Sequence, residues 1–287
     1  MSDTIIVGVT GAPVSDRAVA WAATRAAARH QRLELWAVVG GAIGTVGEAS
    51  VISDALDAAQ SLLDARVTTA RECGLDDTRV STRMEAGDPV STLVDASAHA
   101  ALLVIGSDYR GPDGGPARGS HGFRVAAAAK CPVVVVPDLD LSDGDDGRSG
   151  VVVGIDGSEL SEQALRFAAA EADRLGEKLI AISVWTPLEA PRNDLAVYPE
   201  AYLENMQAAT EEVQSLALAG LATDYPDLVV ERVVAQGYPS HVINARAATA
   251  RMAVVGTHGR GALARFLLGS ISHEVLQRLA TVTAVVR

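Results

Sequence analysis

The 287-residue chain has few aromatic residues, two cysteines, two lysines and no long uninterrupted apolar run. Each shortage excludes something. With aromatics at 4% and hydrophobic residues at 48%, the cores must be assembled from Val, Ala, Leu and Ile. Cys73 and Cys131 lack CxxC spacing and sit in unrelated contexts, which argues against a disulfide framework and fits a reducing cytoplasm. Lys130 and Lys178 are the only lysines and neither stands in GxxxxGK[ST], so a Walker-type phosphate loop is excluded. No segment offers the roughly 18 apolar residues of a membrane span. The N-terminal MSDTIIVGVT reads as a strand and not as a secretory leader. The expectation is a soluble cytoplasmic protein with no membrane partner. A net charge of −12 argues against a nucleic-acid partner, which would need a basic footprint. It leaves an anionic ligand open, because a phosphate site depends on local backbone.

What is present is written twice. IIVGVTGAPVSDRAVAWAATRAA from Ile5 matches VVVGIDGSELSEQALRFAAAEAD from Val151, placing Val7, Gly8, Gly11 and Ser15 on Val153, Gly154, Gly157 and Ser161. AGDPVSTLVDASAHAALLVIGS from Ala86 then matches QGYPSHVINARAATARMAVVGT from Gln236. A repeat of nearly half the chain indicates a duplicated domain and not a solenoid. We assign one domain to residues 1–140 and the other to 150–287, with the acidic stretch DLDLSDGDDGRSG as linker.

Within each copy, short β-branched runs alternate with Ala-rich amphipathic stretches. In the second copy the runs are VVVGI, LIAISVW, LVVERVVA, RMAVVG and TAVVR, and SEQALRFAAAEADRLG is the clearest helix, with Ser161 in its first turn and Gly176 as its stop. The pattern predicts five strands and four helices per copy, folded as α/β: a five-stranded parallel sheet with helices on both faces. Ligands of such sheets bind at the carboxyl ends of the strands, where strand order switches. The valine-rich runs CPVVVVP and TVTAVVR end the two copies. Exposed edges of this kind are expected to pair with each other.

The turn after the second copy's fourth strand is GTHGRGALARFLLGS, residues 256–270. Read as G256-x2-G259-x9-G269-S270, it combines glycines that admit close approach to the main chain with a helix start carrying Ser270 and Ser272. Free N–H groups, the positive end of the helix dipole and two hydroxyls make an anion cradle. The competing reading is a glycine-rich turn with an ordinary Ser N-cap. GRGALA also satisfies GxGxx[G/A], but it follows the fourth strand and no acid stands about twenty residues later, which speaks against a dinucleotide fingerprint.

VVVGIDGSELSEQAL at 151–165, AQGYPSHVI at 235–243 and AVVGTHGRGALARFLLGSIS at 253–272 resemble the universal stress protein family in its tandem form. The resemblance implies two tandem Rossmann-like, adenine nucleotide alpha-hydrolase-like domains, paired within the chain and in a homodimer. It also implies an adenine nucleotide, usually ATP and with Mg²⁺ where a triphosphate is bound, acting as regulatory ligand in a stress response. By that match Asp156 takes the ribose hydroxyls, Gly154 and Ile155 lie beside the base, and the backbone of Val184 meets the adenine. Gly256, Gly259, Gly269, Ser270, Ile271 and Ser272 enclose the phosphates, with Thr257, His258, Arg260 and Gly261 in the same loop. Asp156 also has a reading as an Asx turn in DGS. His258 is read as facing solvent in preference to touching phosphate. AMP or a cyclic nucleotide would use the same donors, and slow ATP hydrolysis or a ligand-free scaffold are the rival activities. No catalytic constellation and no metal-ligand spacing stands in the chain.

The first copy departs from the pattern. Gly8, Gly106, Gly119 and Ser120 remain, and Val38 stands at its second strand, but Thr10 replaces Asp156, Tyr109 replaces Gly259 and Gly122 replaces Ser272. A weaker first site is expected. Cys131 is expected to be packed. The acids Glu200, Glu204, Glu211 and Glu212 are expected to form the solvated face of a helix.

Overall fold

In the computed structural model the described residues are 3–40, 49–108, 120–139, 147–187, 199–259 and 268–287. They fall into two units, Met1–Asp140 and Leu141–Arg287. The first runs β1 (Thr4–Val9), α1 (Val14–Ala28), β2 (Arg32–Val39), α2 (Ala49–Glu72), β3 (Val80–Ala86), α3 (Pro89–Ala96), β4 (Leu102–Ser107), α4 (Ser120–Ala128) and β5 (Val133–Pro137). Its strands lie in the order β3-β2-β1-β4-β5, every pair parallel. The second runs β6 (Val151–Gly154), α5 (Glu159–Leu175), β7 (Leu179–Trp185), α6 (Glu200–Leu218), a single-turn α7 (Leu221–Asp224), β8 (Val230–Gln236), α8 (Pro239–Ala247), β9 (Met252–Gly256), α9 (Ser270–Arg278) and β10 (Val282–Val286). Its order is β10-β9-β6-β7-β8, again all parallel.

The strands are apolar almost throughout because both sheet faces are covered. Val151, Val152 and Val153 are fully buried, as are Leu179 and Ala181. Glycines mark where helices come closest. Val153 pairs with Val254, so Gly154 and Gly256 are out of phase and face opposite sides of the sheet. A Cβ on Gly154 would lie 2.9 Å from Ile243 of α8, and one on Gly256 would lie 3.3 Å from Leu160 of α5. The first unit repeats the device: Gly8 lies against Leu93 of α3 and Gly106 against Val14 of α1, each at 2.9 Å from a built Cβ. Helices therefore sit on both faces in each unit.

The predicted helix in the second copy runs from Ser158, whose Oγ accepts from the Ser161 N–H, to Gly176 in the left-handed conformation at φ 64°. The run LVVERVVA enters the sheet late, since the Leu228 N–H is used in a turn to the Tyr225 carbonyl at 3.2 Å. Helix α7 is additional to the four expected in that copy. Cys131 is buried, and both cysteines are free. The four acids of α6 are exposed. Among the described residues no helix is long and apolar enough to cross a membrane.

In the second unit the chain steps outward from β6 to β7 and β8, then returns to the other side for β9 and β10. The carboxyl ends of β6 and β9 therefore splay their following loops apart, leaving a crevice between them.

Candidate functional site

That crevice is a cavity of about 700 Å³. It is built from three walls.

The first wall is the turn after β6. The Ile155 N–H still bonds across to the Ile182 carbonyl at 2.8 Å, and Asp156 is the first residue past the ladder. Its Oδ1 accepts from the Ser158 N–H at 2.9 Å and from the Ser158 hydroxyl at 2.6 Å. Gly157, at φ 76°, makes the turn possible. The Asx-turn role of Asp156 is thus real, and it occupies one carboxylate oxygen. The other oxygen, Oδ2, lies toward Gly259: a Cβ there would sit 2.5 Å from it.

The second wall joins the end of β9 to the start of α9. Two hydrogen bonds hold these segments together. The Gly269 N–H donates to the Thr257 carbonyl at 2.8 Å, and the Ser272 hydroxyl donates to the Gly256 carbonyl. Gly269 is the N-cap residue and no side chain caps the helix. The first intrahelical bond recorded is His273 N–H to Gly269 carbonyl at 2.9 Å, so the N–H groups of Ser270, Ile271 and Ser272 are those a helix leaves without an internal partner. With the helix dipole they favour an anion at this point.

The third wall is apolar. Val184 and Trp185 at the end of β7 line it together with Met206, Ala209, Thr210 and Val213 of α6, whose spacing of three, four and seven places them on one helix face. Two polar contacts fix that helix. The Trp185 indole N–H donates to Gln207 at 2.8 Å. Gln214 is fully buried, its amide nitrogen 3.0 Å from the Ala181 carbonyl and 3.1 Å from the Val233 carbonyl, and its oxygen accepts from Arg232 at 3.1 Å.

Gly154, Ile155, Asp156 and Val184 line the cavity as the sequence suggested, and so do Gly256, His258, Gly259, Gly269, Ser270, Ile271 and Ser272. Three expectations change. Thr257 is buried, at 2% exposure, and lies behind the wall. Ser272 is buried and commits its hydroxyl proton to Gly256, so it braces the loop and offers only its backbone N–H. His258 is half-buried and lines the cavity instead of facing solvent. Its Nε2 is buried and has no hydrogen-bond partner among the described residues. Burial, and secondarily the charge of Arg287, hold this imidazole below the usual histidine range. Arg260 and Gly261 lie outside the described residues. The α6 wall is not legible in the sequence, because a stripe of Met, Ala and Val at helical spacing is indistinguishable from ordinary core packing. Among the described residues no group of three or more His, Cys, Asp or Glu is placed to hold a metal.

The first unit uses the same turn differently. Ser15 is buried, and its hydroxyl accepts from the Thr10 N–H at 2.9 Å and lies 3.1 Å from the Thr10 hydroxyl. The Ala12 N–H donates to Thr10 Oγ1 at 3.3 Å. The threonine side chain is engaged within its own turn. Gly8 and Gly106 are accounted for by helix packing, Val38 pairs with Glu85 in the sheet, and Gly122 brings no hydroxyl. Tyr109 and Gly119, and the side chain of Ser120, lie outside the described residues.

Comparison with known proteins accords with this architecture. The sequence profile described as Universal stress protein family matches residues 1–137 and again 148–287. Universal stress protein Rv2005c of Mycobacterium tuberculosis is 35% identical over 279 residues, covering 95% of this chain and 92% of that protein. Universal stress protein Rv2623 of the same organism is 32% identical over 289 residues, covering 99% and 96%. The crystal structure of a universal stress protein from Archaeoglobus fulgidus superimposes with a TM-score of 0.70 at 18% identity, covering 100% of this chain and 99% of that one.

Proposed function

The chain belongs to the universal stress protein family, and from that premise we propose that it is a nucleotide-dependent regulatory protein that holds ATP in the cavity of its second unit. The observation that carries the reading is the pairing of one carboxylate with one helix N-terminus across a single cavity. Asp156 offers an acceptor suited to ribose hydroxyls, and a carboxylate there repels phosphate. Opposite it, the N–H groups of Ser270, Ile271 and Ser272 suit phosphate oxygens. The apolar recess between the end of β7 and α6 suits the flat face of a base, with the Val184 main chain available to its polar edge. ATP would bring its own Mg²⁺, bound through phosphate oxygens.

Binding rather than turnover is the proposed activity. The glycine motif supplies donors and no carboxylate base for an attacking water. The first unit, with Thr10 tied to Ser15 and no aspartate in the turn, is assigned at most a weaker site.

The test is to denature freshly purified protein, identify the released small molecules, and titrate the emptied protein with ATP, AMP and cyclic AMP by calorimetry. ATP binding with the highest affinity supports the reading. Preference for AMP or a cyclic nucleotide would keep the site and change the ligand. No binding of any of the three would leave the chain a scaffold.

A further inference from the structure

The half-buried imidazole in the phosphate wall has no role in the reading above. His258 stands between Gly256 and Gly259, and the loop closes on it from both ends. Built Cβ atoms at Gly256 and Gly269 would lie 3.3 Å from the His258 carbonyl oxygen and 3.4 Å from its Cα. Both distances are to main-chain atoms, and they set the His258 backbone beside the N-cap of α9. Its Nε2 is nevertheless buried without a partner among the described residues. A ring nitrogen closed off from solvent and without a partner favours the neutral imidazole in the empty protein.

We propose that nucleotide binding at this site is coupled to protonation of His258, so that the imidazole is neutral in the empty protein and becomes an imidazolium against the ligand's phosphates. The inference rests on the nucleotide reading above and extends it to regulation by pH. Neutral imidazole has one donor and one acceptor, whereas imidazolium has two donors. Phosphate oxygens only accept. Placing them in the cavity that His258 lines brings a negative charge that offsets Arg287, the charge that acts on His258 from beyond β10. Other charged groups stand on the elements around the loop. Asp156, past β6, has Oδ1 held by Ser158. Glu159 and Glu162 in the first turn of α5 are exposed, and on α9 Glu274 accepts from Ser240 while His273 stands beside it. Burial dominates, and the empty state keeps His258 below the usual histidine range.

The direction follows from linkage. A group that titrates higher in the complex than in the free protein takes up a proton on binding. Affinity is then greatest below the free-state titration and falls as pH rises through that of the complex. Acidification would load the protein with nucleotide, and alkalinisation would unload it.

The experiment uses the full chain labelled with ¹⁵N-histidine, with and without saturating ATP, titrated from pH 5 to pH 8.5. The His258 signals are assigned by their absence in His258→Asn, and equilibrium dialysis of the same samples records bound ATP. We expect the His258 midpoint to rise by about one pH unit or more on binding. We also expect wild-type affinity to fall up to about tenfold per pH unit between the two midpoints, beyond any change in His258→Asn. ATP bound with the His258 midpoint unmoved overturns the coupling and leaves the nucleotide reading intact. Failure of ATP to bind at any pH overturns both. Should His258→Asn fail to fold, the midpoint shift in wild-type protein still decides the matter, since a histidine signal that moves with ATP is then assigned through His258→Gln.

Discussion

The carboxylate of Asp156 occupies the space that a side chain at position 259 would need: a Cβ on Gly259 would lie 2.5 Å from Asp156 Oδ2. The two residues are about a hundred positions apart and come from the two loops that diverge at the switch in strand order. Their contact joins the ribose-type acceptor to the phosphate-type loop, and it explains why glycine stands at 259 without appeal to backbone conformation.

Asp156 has two duties that substitution can separate. Asp156→Ala removes the acceptor that orders the Ser158 cap of α5, so it is expected to cost about 1 kcal/mol of stability as well as ATP affinity. Asp156→Asn keeps an oxygen for Ser158 and loses the charge. It should unfold close to wild type yet bind ATP more weakly, by about 1.5–3 kcal/mol for the lost charge-assisted bond. Chemical denaturation and calorimetric titration of both variants check this; equal destabilisation by the two would contradict the division.

Ser270 and Ser272 are expected to behave oppositely. Ser272→Ala strips a buried partner from the Gly256 carbonyl and should destabilise by about 1–3 kcal/mol. Ser270→Ala touches an exposed side chain that caps nothing, so stability should be unchanged within about 0.5 kcal/mol. Urea denaturation midpoints compare them directly.

These cases show what was legible in the sequence. The duplication, the β-branched runs and the glycine spacing foretold both sheets and brought Asp156, Gly259 and Gly269 to one place, because each signal is local and its cause is steric. Ser272 was read as a phosphate donor because a hydroxyl at a helix start has two uses, and the one realised depends on a carbonyl sixteen residues away. Gly8 and Gly106, which the sequence assigns to a weaker first site, also stand where α3 and α1 come closest to the sheet. Gln214 was invisible: a glutamine in an acidic helix reads as surface, and only the tertiary fold buries it beneath α6.

Gln214→Ala should therefore be among the most damaging changes outside the cavity. It leaves the Arg232 side chain and the backbone groups of β7 and β8 to lose a shared partner, and opens a void under α6. A loss of about 3 kcal/mol or more is expected. Because α6 forms the apolar wall, ATP affinity should fall with it. A variant as stable as wild type would show that α6 is held by other means.

The ligand-free protein should also carry a pH signature. A histidine held below its ordinary value of 6.5 in the folded state favours the fold while it is neutral, so its contribution is present above about pH 6.5 and is lost as pH falls below that. Thermal midpoints of the empty protein should decline through this window, and His258→Asn should flatten the decline. An identical profile in the variant would assign the loss to other groups.

One cavity, in the second unit, is proposed to hold the nucleotide. The most direct test of this is the number of ATP molecules bound per chain by equilibrium dialysis, in wild type and in Gly259→Ala, with circular dichroism confirming that both are folded. One tightly held nucleotide per chain is expected, and its loss when the alanine methyl displaces the Asp156 carboxylate. Two equally tight nucleotides, or one retained at full affinity in Gly259→Ala, would contradict it.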